Sequence, residues 1–458
     1  MTRTRNRTGI CPQLRRVEER ARAHPEERFI SLAHYLNESA LLEAYNGLKP
    51  KAGAGIDGQT KADYGRDLAA NLHDLHQRLK QGRYRASPVK RVWLDKPDGG
   101  KRPIGLPTLE DKIVQSTVAN VLDAIYECDF HGLSYGFRPG RNQHQALQAV
   151  QTFLQKGRVN WVLDLDLKAC FDTIEHEALM EAIQRRVADR TILRLIRKWL
   201  TVGVVEPDGK RERARRGTPQ GAVISPLLAN IVLHYAMDEV VLKWRKTEAQ
   251  GEVYCVRYAD DAVLAFEHEA DAHALKARLE ESLADYGLAL NQAKTRLICF
   301  GLHWPGRGIK PETFDFLGFT HIAGKDRKGR YLVLRKTACK RFHRHLLKVT
   351  AWLRKHRHRP LTWQWQKLRK HLLGYYQYYG IRGNYRALAR YRWRLWRLWY
   401  QSLQRCSQKA NGERLVHLLT AVFPLPKARI THSEGWMNVN PGDLLGRAGC
   451  GNAARPVL

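Results

Sequence analysis

Apolar residues recur along this chain with two different periods, and the places where one gives way to the other outline its elements. From Phe29 to Leu48 the pattern is helical, with Leu32, Leu36, Leu41 and Leu42 close to one face. Lys51 to Gly58 breaks it with small residues that suit a loop approaching a ligand or backbone closely. Asp63 to Leu79 is again helical. Val89 to Leu94 predicts a strand, Pro97 to Gly100 a tight turn, Lys101 to Gly105 the returning strand, and Asp111 to Tyr126 a helix. Trp161 to Leu167 alternates: Trp161, Leu163, Leu165 and Leu167 face one side, Val162, Asp164 and Asp166 the other. Helices follow near His176–Val187 and Ile192–Leu200, and a long apolar one from Ser225 to about Val241. Val253–Val256 and Ala262–Phe266 read as a β-hairpin, Ala270–Tyr286 as a helix, and Leu288–Asn291 and Arg296–Phe300 as short strands. Strands interleaved with helices predict an α/β layer with an antiparallel element. No apolar run approaches the roughly 18 residues of a membrane span.

The composition changes after about residue 323. From Arg327 to Gly412 there is no Asp or Glu, while Lys and Arg are dense and Trp and Tyr are interleaved among them. Trp393, Trp396, Trp399 and Tyr400 fall at ordinary helical core spacing. Most of the tail's aromatics are therefore expected in a core, and most of its charge on nucleic acid. The whole chain has 458 residues, enough for two or three domains, and a formal net charge of +33. Such a charge points to a polyanionic partner, nucleic acid first and a membrane surface second. The eight cysteines are scattered without a C-x-x-C pair, which argues against a zinc site or disulfide framework. Met1 to Arg7 is basic but leads into no apolar signal core, so a cytoplasmic location is expected.

The candidate chemistry centres on Asp260-Asp261 at the tip of the predicted hairpin. Adjacent carboxylates repel and are costly to half-bury, and divalent cations relieve both costs. Two such ions can hold an attacking oxygen and a leaving phosphate in line if carboxylates anchor them. An exposed Asp-Asp turn would give the same residues. Asp164 and Asp166, on one face of an otherwise apolar strand, strengthen the metal reading. Asp172 suits a helix cap. Gly99-Gly-Lys-Arg-Pro103 suits a triphosphate contact, although taken alone the motif is better read as a solvated hairpin tip.

These residues fall in eight blocks, in order: Gly55–Gly58, Lys101–Pro107, Ser134–Gly140, Asp166–Asp172, Gly217–Asn230, Tyr258–Asp261, Leu290–Thr295 and Phe316–Phe319. In this order they resemble the bacterial group II intron reverse transcriptases, or maturases, over roughly residues 30–320. Gly374–Tyr379 lies in a region, Lys340–Leu419, that looks like the family's thumb and maturase domain.

The resemblance implies an α+β right-hand polymerase: fingers and an α/β palm followed by an α-helical thumb/maturase domain. It places a polar N-terminal segment at 1–27, fingers with part of the palm at 28–160 and the palm with its catalytic aspartates at 161–323. A basic helical thumb/maturase domain at 324–420 and a tail at 421–458 complete the expected division. Asp166, Asp260 and Asp261 match the catalytic aspartates that hold two Mg²⁺. Phe171 matches the residue that excludes a 2′-hydroxyl, Gln220 one beside the incoming nucleotide, and Lys294 a lysine that protonates pyrophosphate. Lys101, Arg102 and Arg138 would face phosphates, and Phe316–Phe319 resembles the primer grip. The implied partners are an RNA template (structured group II intron RNA), a DNA primer or target, and deoxynucleoside triphosphates, with no membrane. The implied roles are reverse transcription together with maturase action in RNA splicing and intron mobility. A domesticated relative serving phage defence or DNA repair, or a mainly RNA-binding splicing factor, stays open beside them. The Gly- and Asn-rich stretch from Ser433, with Cys450 alone, predicts loop or disorder rather than the family's endonuclease domain.

Overall fold

The computed structural model describes residues 14–95, 100–212, 216–301, 312–326, 328–406 and 412–432. It divides into two compact units: residues 14–146 with 163–297, and residues 147–162 with 298–432. Both are mixed helix and sheet, as the patterning predicts.

The first unit begins with a helix, Arg15–Ala23, within the stretch expected to be only a polar N-terminal segment. Leu14, Val17 and Ala21 are buried, a stripe that docks against the helix Leu109–Asp129. The Arg186 guanidinium fastens the segment by donating to the carbonyls of Ala21, His24, Pro25 and Glu27. Leu109–Asp129 is nearly all buried and starts at a Thr108 cap whose hydroxyl accepts from Asp111 N–H. Strands β1 (Val89–Asp95) and β2 (Lys101–Leu106) pair antiparallel, from Lys90 opposite Leu106 to Asp95 opposite Lys101. Residues 97–99 of the turn predicted at Pro97–Gly100 lie outside the described residues. The predicted helix over Phe29–Leu48 is shorter, Glu38–Gly47, because the Asn37 side chain caps it by accepting from Ala40 N–H.

The central sheet is built from β3 (Trp161–Asp166), β6 (Val253–Tyr258), β7 (Asp261–Phe266) and β8 (Arg296–Cys299), in the order β6-β7-β3-β8. Two-residue strands β4 (Val204–Val205) and β5 (Arg211–Glu212) extend the sheet of β1 and β2. The predicted strand at Leu288–Asn291 reduces to a single bridge between Leu290 and Leu167. The long apolar helix is Ser225–Leu233 followed by a π-helical turn, His234–Asp238, and then Glu239–Thr247.

The second unit has a three-stranded sheet, β9 (Thr313–Phe316), β10 (Phe319–Lys325) and β11 (Tyr331–Thr337), in the order β11-β10-β9. A division at 323/324 would cut through β10, whose seven residues all pair with β11. The chain instead divides at 297/298. Leu317 and Gly318, both at positive φ, make the turn within Phe316–Phe319, and the Tyr378 hydroxyl donates to the Leu317 carbonyl. Helices Cys339–Lys355, Leu361–Tyr379 and Tyr385–Gln404 follow. Their core is Leu388, Tyr391, Leu395 and Trp399, with Tyr375 stacked on Tyr391 at 3.8 Å. The helical phase thus differs from the tryptophan spacing: Trp399 is buried, Trp396 is half-buried and Trp393 is exposed. Residues 424–426 lie along these helices, their carbonyls accepting from Trp365, Tyr376 and Arg392. Among the described residues no helix is long and apolar enough to cross a membrane.

Candidate active site

The hairpin of β6 and β7 closes on a two-residue turn, with Tyr258 paired to Asp261. Ala259 within it has a φ of +58°, a left-handed conformation that costs an alanine about 1 kcal/mol. Its neighbours hold it there. Arg257 Nη1 donates to the Ala259 carbonyl at 3.1 Å and to Asn230 Oδ1 at 2.9 Å. Asn230 Nδ2 in turn donates to the Gly136 carbonyl at 2.8 Å. Gly136 lies so close behind the turn that a Cβ there would stand 2.2 Å from Ala259 N. The block Ser134–Gly140 is therefore the backing of the acidic tip.

Arg138, in that same block, does not face phosphate. It is 4% exposed. Its N–H groups go to the Glu127 carboxylate and to the carbonyls of Phe130, His131 and Ser134. A guanidinium so fully engaged is a strut of the loop, and the phosphate role expected for it is withdrawn.

Asp166 ends β3 and is fixed from two directions. Asn291 Nδ2 donates to Asp166 Oδ2 at 3.0 Å, and Lys294 Nζ lies 3.1 Å from the same oxygen. The backbone repeats the clamp, with Asn291 N–H donating to the Asp166 carbonyl at 2.8 Å. Asp164, by contrast, faces Arg296 at 3.7 Å. Asp260 is half-buried and its carboxyl is held above the usual carboxylate range. Burial is the main cause and the Asp166 charge adds to it, while Arg102 and Lys294 pull the other way. Asp261 is exposed beside it. The three acids do not form a group whose ligand atoms all lie within 4.8 Å of one another. Like charges separate in a site of this kind, and a hard cation with oxygen ligands is what would draw them in.

Beside the acids runs a second polar chain. The loop from Gly217 threads under Phe171, whose carbonyl accepts from Thr218 N–H, and then reaches β2, where Gly105 N–H donates to the Gln220 carbonyl at 2.6 Å. Gly221, at φ +111°, passes within 2.5 Å of the Gly105 oxygen by its Cβ position, so only glycine fits. Gln220 is thereby set between two charged groups. Its Oε1 accepts from Arg102 Nε at 2.8 Å, and its Nε2 donates to Asp172 Oδ2 at 2.7 Å. Asp172 is thus a partner of Gln220 and not a helix cap. Lys101 is exposed at the start of β2. Phe171 is 9% exposed and meets Phe137 edge to face, with centroids 6.4 Å apart.

The structure therefore brings Asp166, Asp260 and Lys294 into one electrostatic cluster, joins Arg102 to Gln220, and takes Arg138 out. Asn291 and Asp172 escape a sequence reading because one polar residue in a loop looks like another; their only signal is that both lie inside the shared blocks. The donor set at the acids fits divalent cations.

Residues 94–321 match the family model described as reverse transcriptase (RNA-dependent DNA polymerase). The chain is 34% identical over 304 residues to protein YkfC of Escherichia coli K12, a match spanning 59% of this chain and 78% of that one. It is 35% identical over 232 residues to the group II intron-encoded protein LtrA of Lactococcus lactis, spanning 50% and 38% respectively. With the putative COX1/OXI3 intron 1 protein of Saccharomyces cerevisiae it shares 28% over 309 residues, 57% of this chain and 37% of that one. The chain thus spans well under half the length of both intron proteins.

Proposed function

The chain belongs to the reverse transcriptase (RNA-dependent DNA polymerase) family, and from that premise we propose that it extends a DNA primer on an RNA template of group II intron type. The observation that carries this reading is the meeting of Asp166 and Asp260 in one field that also contains Lys294 and Arg102. That field has acids for metal and cations for a triphosphate.

In the proposed reaction the primer 3′-hydroxyl attacks the α-phosphate of a deoxynucleoside triphosphate. The new O–P bond forms as the bond to pyrophosphate breaks, and the hydroxyl proton passes to solvent water. Asp166, Asp260 and Asp261 would hold two Mg²⁺, which when bound supply charge neutralisation at the transferring phosphoryl group. Lys101 and Arg102 face the triphosphate. Arg102 and Asp172 fix the rotamer of Gln220, which borders the nucleotide. Phe171, already packed against Phe137, is the floor under the sugar that leaves no room for a 2′-hydroxyl. Lys294 gives its proton to the departing pyrophosphate. Asp260→Ala should abolish primer extension and leave RNA binding intact; normal extension by that variant would overturn the assignment.

A maturase role is the second reading, favoured by the acid-free run from Arg327 to Gly412. Within it the exposed Trp393 lies 5.4 Å from the guanidinium groups of both Arg394 and Arg397. An aromatic face ringed by cations suits unpaired bases of a structured intron RNA. Splicing assistance that survives Asp260→Ala would separate this role from polymerisation. Intron RNA domains flanking the gene would favour a mobile element, and their absence a domesticated enzyme in phage defence or repair.

A further inference from the structure

We propose that His131, His234 and Glu239 form a binding site for a zinc-type divalent cation, distinct from the aspartate site and independent of the polymerase reading.

The site begins with a defect in a helix. Between Leu233 and Glu239 the chain makes one π-helical turn, in which Glu239 N–H donates to the His234 carbonyl five residues back. On an α-helix, residues five apart lie about 140° apart around the axis and do not meet. The wider turn brings them together: His234 Nε2 is 3.4 Å from Glu239 Oε1. A tetrahedral ion with bonds of about 2.0–2.2 Å sets its ligands roughly 3.4 Å apart. The third group comes from the loop after Leu109–Asp129. The His131 ring lies 4.9 Å from the His234 ring, and ligand atoms of all three residues fall within 4.8 Å of one another. Among the described residues it is the one such group.

Burial and charge agree with ligation. His234 is 2% exposed, and its Nδ1 has no hydrogen-bond partner. A buried imidazole nitrogen without a partner is costly, and the Nε2 contact with Glu239 does not relieve it. The nearby guanidinium groups are mostly spent: Arg257 on Asp238, Arg138 on Glu127 and Arg186 on Asp129. Arg185 stacks on Tyr235. Half-buried His131 and exposed Glu239 leave an approach from solvent. Two imidazole nitrogens and one carboxylate select a borderline ion over Mg²⁺, and three protein ligands leave the fourth position to water. Occupied, the site would tie the π turn to the loop that carries Ser134 and Gly136 behind the acidic hairpin.

The test uses the full chain stripped with a chelator, then titrated with Co²⁺ and followed by visible absorption, with Zn²⁺ affinity read by competition against a chromophoric chelator. One Co²⁺ per chain with ligand-field bands that Zn²⁺ erases is expected. His131→Ala and Glu239→Gln should each weaken Zn²⁺ by at least about 10-fold. Both should remove the Zn²⁺-induced rise in melting temperature while keeping Mg²⁺-dependent primer extension. His131→Gln, with circular dichroism, guards against a folding defect in the alanine variant. Absent bands in the wild type, or equal Zn²⁺ affinity in the variants, would overturn the proposal.

Discussion

Arg257 donates to both carboxylate oxygens of Asp238, at 2.7 Å through Nε and 2.6 Å through Nη2, and solvent reaches neither side chain. Arg257 is itself part of the hairpin that carries Asp260, three residues before it, and Asp238 lies in the π-helical turn. Breaking a pair of this kind from one side leaves a buried charge alone, at a cost of about 3–5 kcal/mol. Asp238→Ala should therefore lower the unfolding free energy by that amount in denaturant titrations. Joint replacement by Met at 257 and Leu at 238 should recover most of the stability. It should not recover primer extension, because the bond from Arg257 to the Ala259 carbonyl is gone.

The raised Asp260 carboxyl makes a prediction about stability. An acid whose pKa is higher in the folded than in the unfolded protein destabilises the fold progressively as pH rises through the folded value. In chelator at pH 7, Asp260→Asn should melt higher than the wild type, by roughly 2 °C or more. The gap should close as the solution is acidified and the wild-type carboxyl gains its proton. Divalent cations should stabilise the wild type alone, and calorimetry across pH with and without them checks both arms.

Lys294 contacts Asp166 at 3.1 Å, so its removal has a structural and a chemical consequence. Lys294→Ala should reduce kcat by about 10²–10⁴. Lys294→Arg keeps the ion pair but holds its proton too tightly to donate at neutral pH. If arginine restores full rate, the lysine positions Asp166 and does not supply a proton.

Much of this site is legible in the sequence because its elements have one wet and one dry side. β3 and the β6–β7 hairpin alternate or run apolar to their ends, so the acids stand out where the pattern stops. Arg138 misleads for a physical reason. A basic residue among glycines and prolines reads as a phosphate contact, and only the fold reveals that four neighbouring acceptors consume it. The π turn leaves no trace either, since an extra residue in an apolar run such as Ser225–Val241 does not alter its composition. The boundary expected at residue 323 follows a change in charge, whereas the chain divides at 297/298.

Gly136 bears on the chemistry without touching substrate. Gly136→Ala would push a methyl group into the backbone of Ala259. Displacement of the tip by a fraction of an ångström to an ångström should cost about 10² in primer extension while RNA affinity is unchanged. Filter binding and extension assays on one preparation read both. Equal extension by the alanine variant would show that the turn tolerates movement.

Phe171 should set sugar discrimination. Phe171→Ala should narrow the preference for deoxy- over ribonucleotides by on the order of 10–100-fold in single-nucleotide incorporation. Loss of both activities in parallel would instead assign Phe171 to packing with Phe137.

The left-handed alanine before Asp260 has a consequence for how activity arises. Alanine itself does not favour that backbone conformation; Arg257 within the hairpin, together with Asn230 and Gly136 brought from elsewhere along the chain, imposes it. A nascent or clipped chain bearing only the hairpin would relax, and its two aspartates would splay apart. Polymerase competence should therefore switch on with global folding in one step, and no fragment lacking residues 130–140 should show a weak version of it.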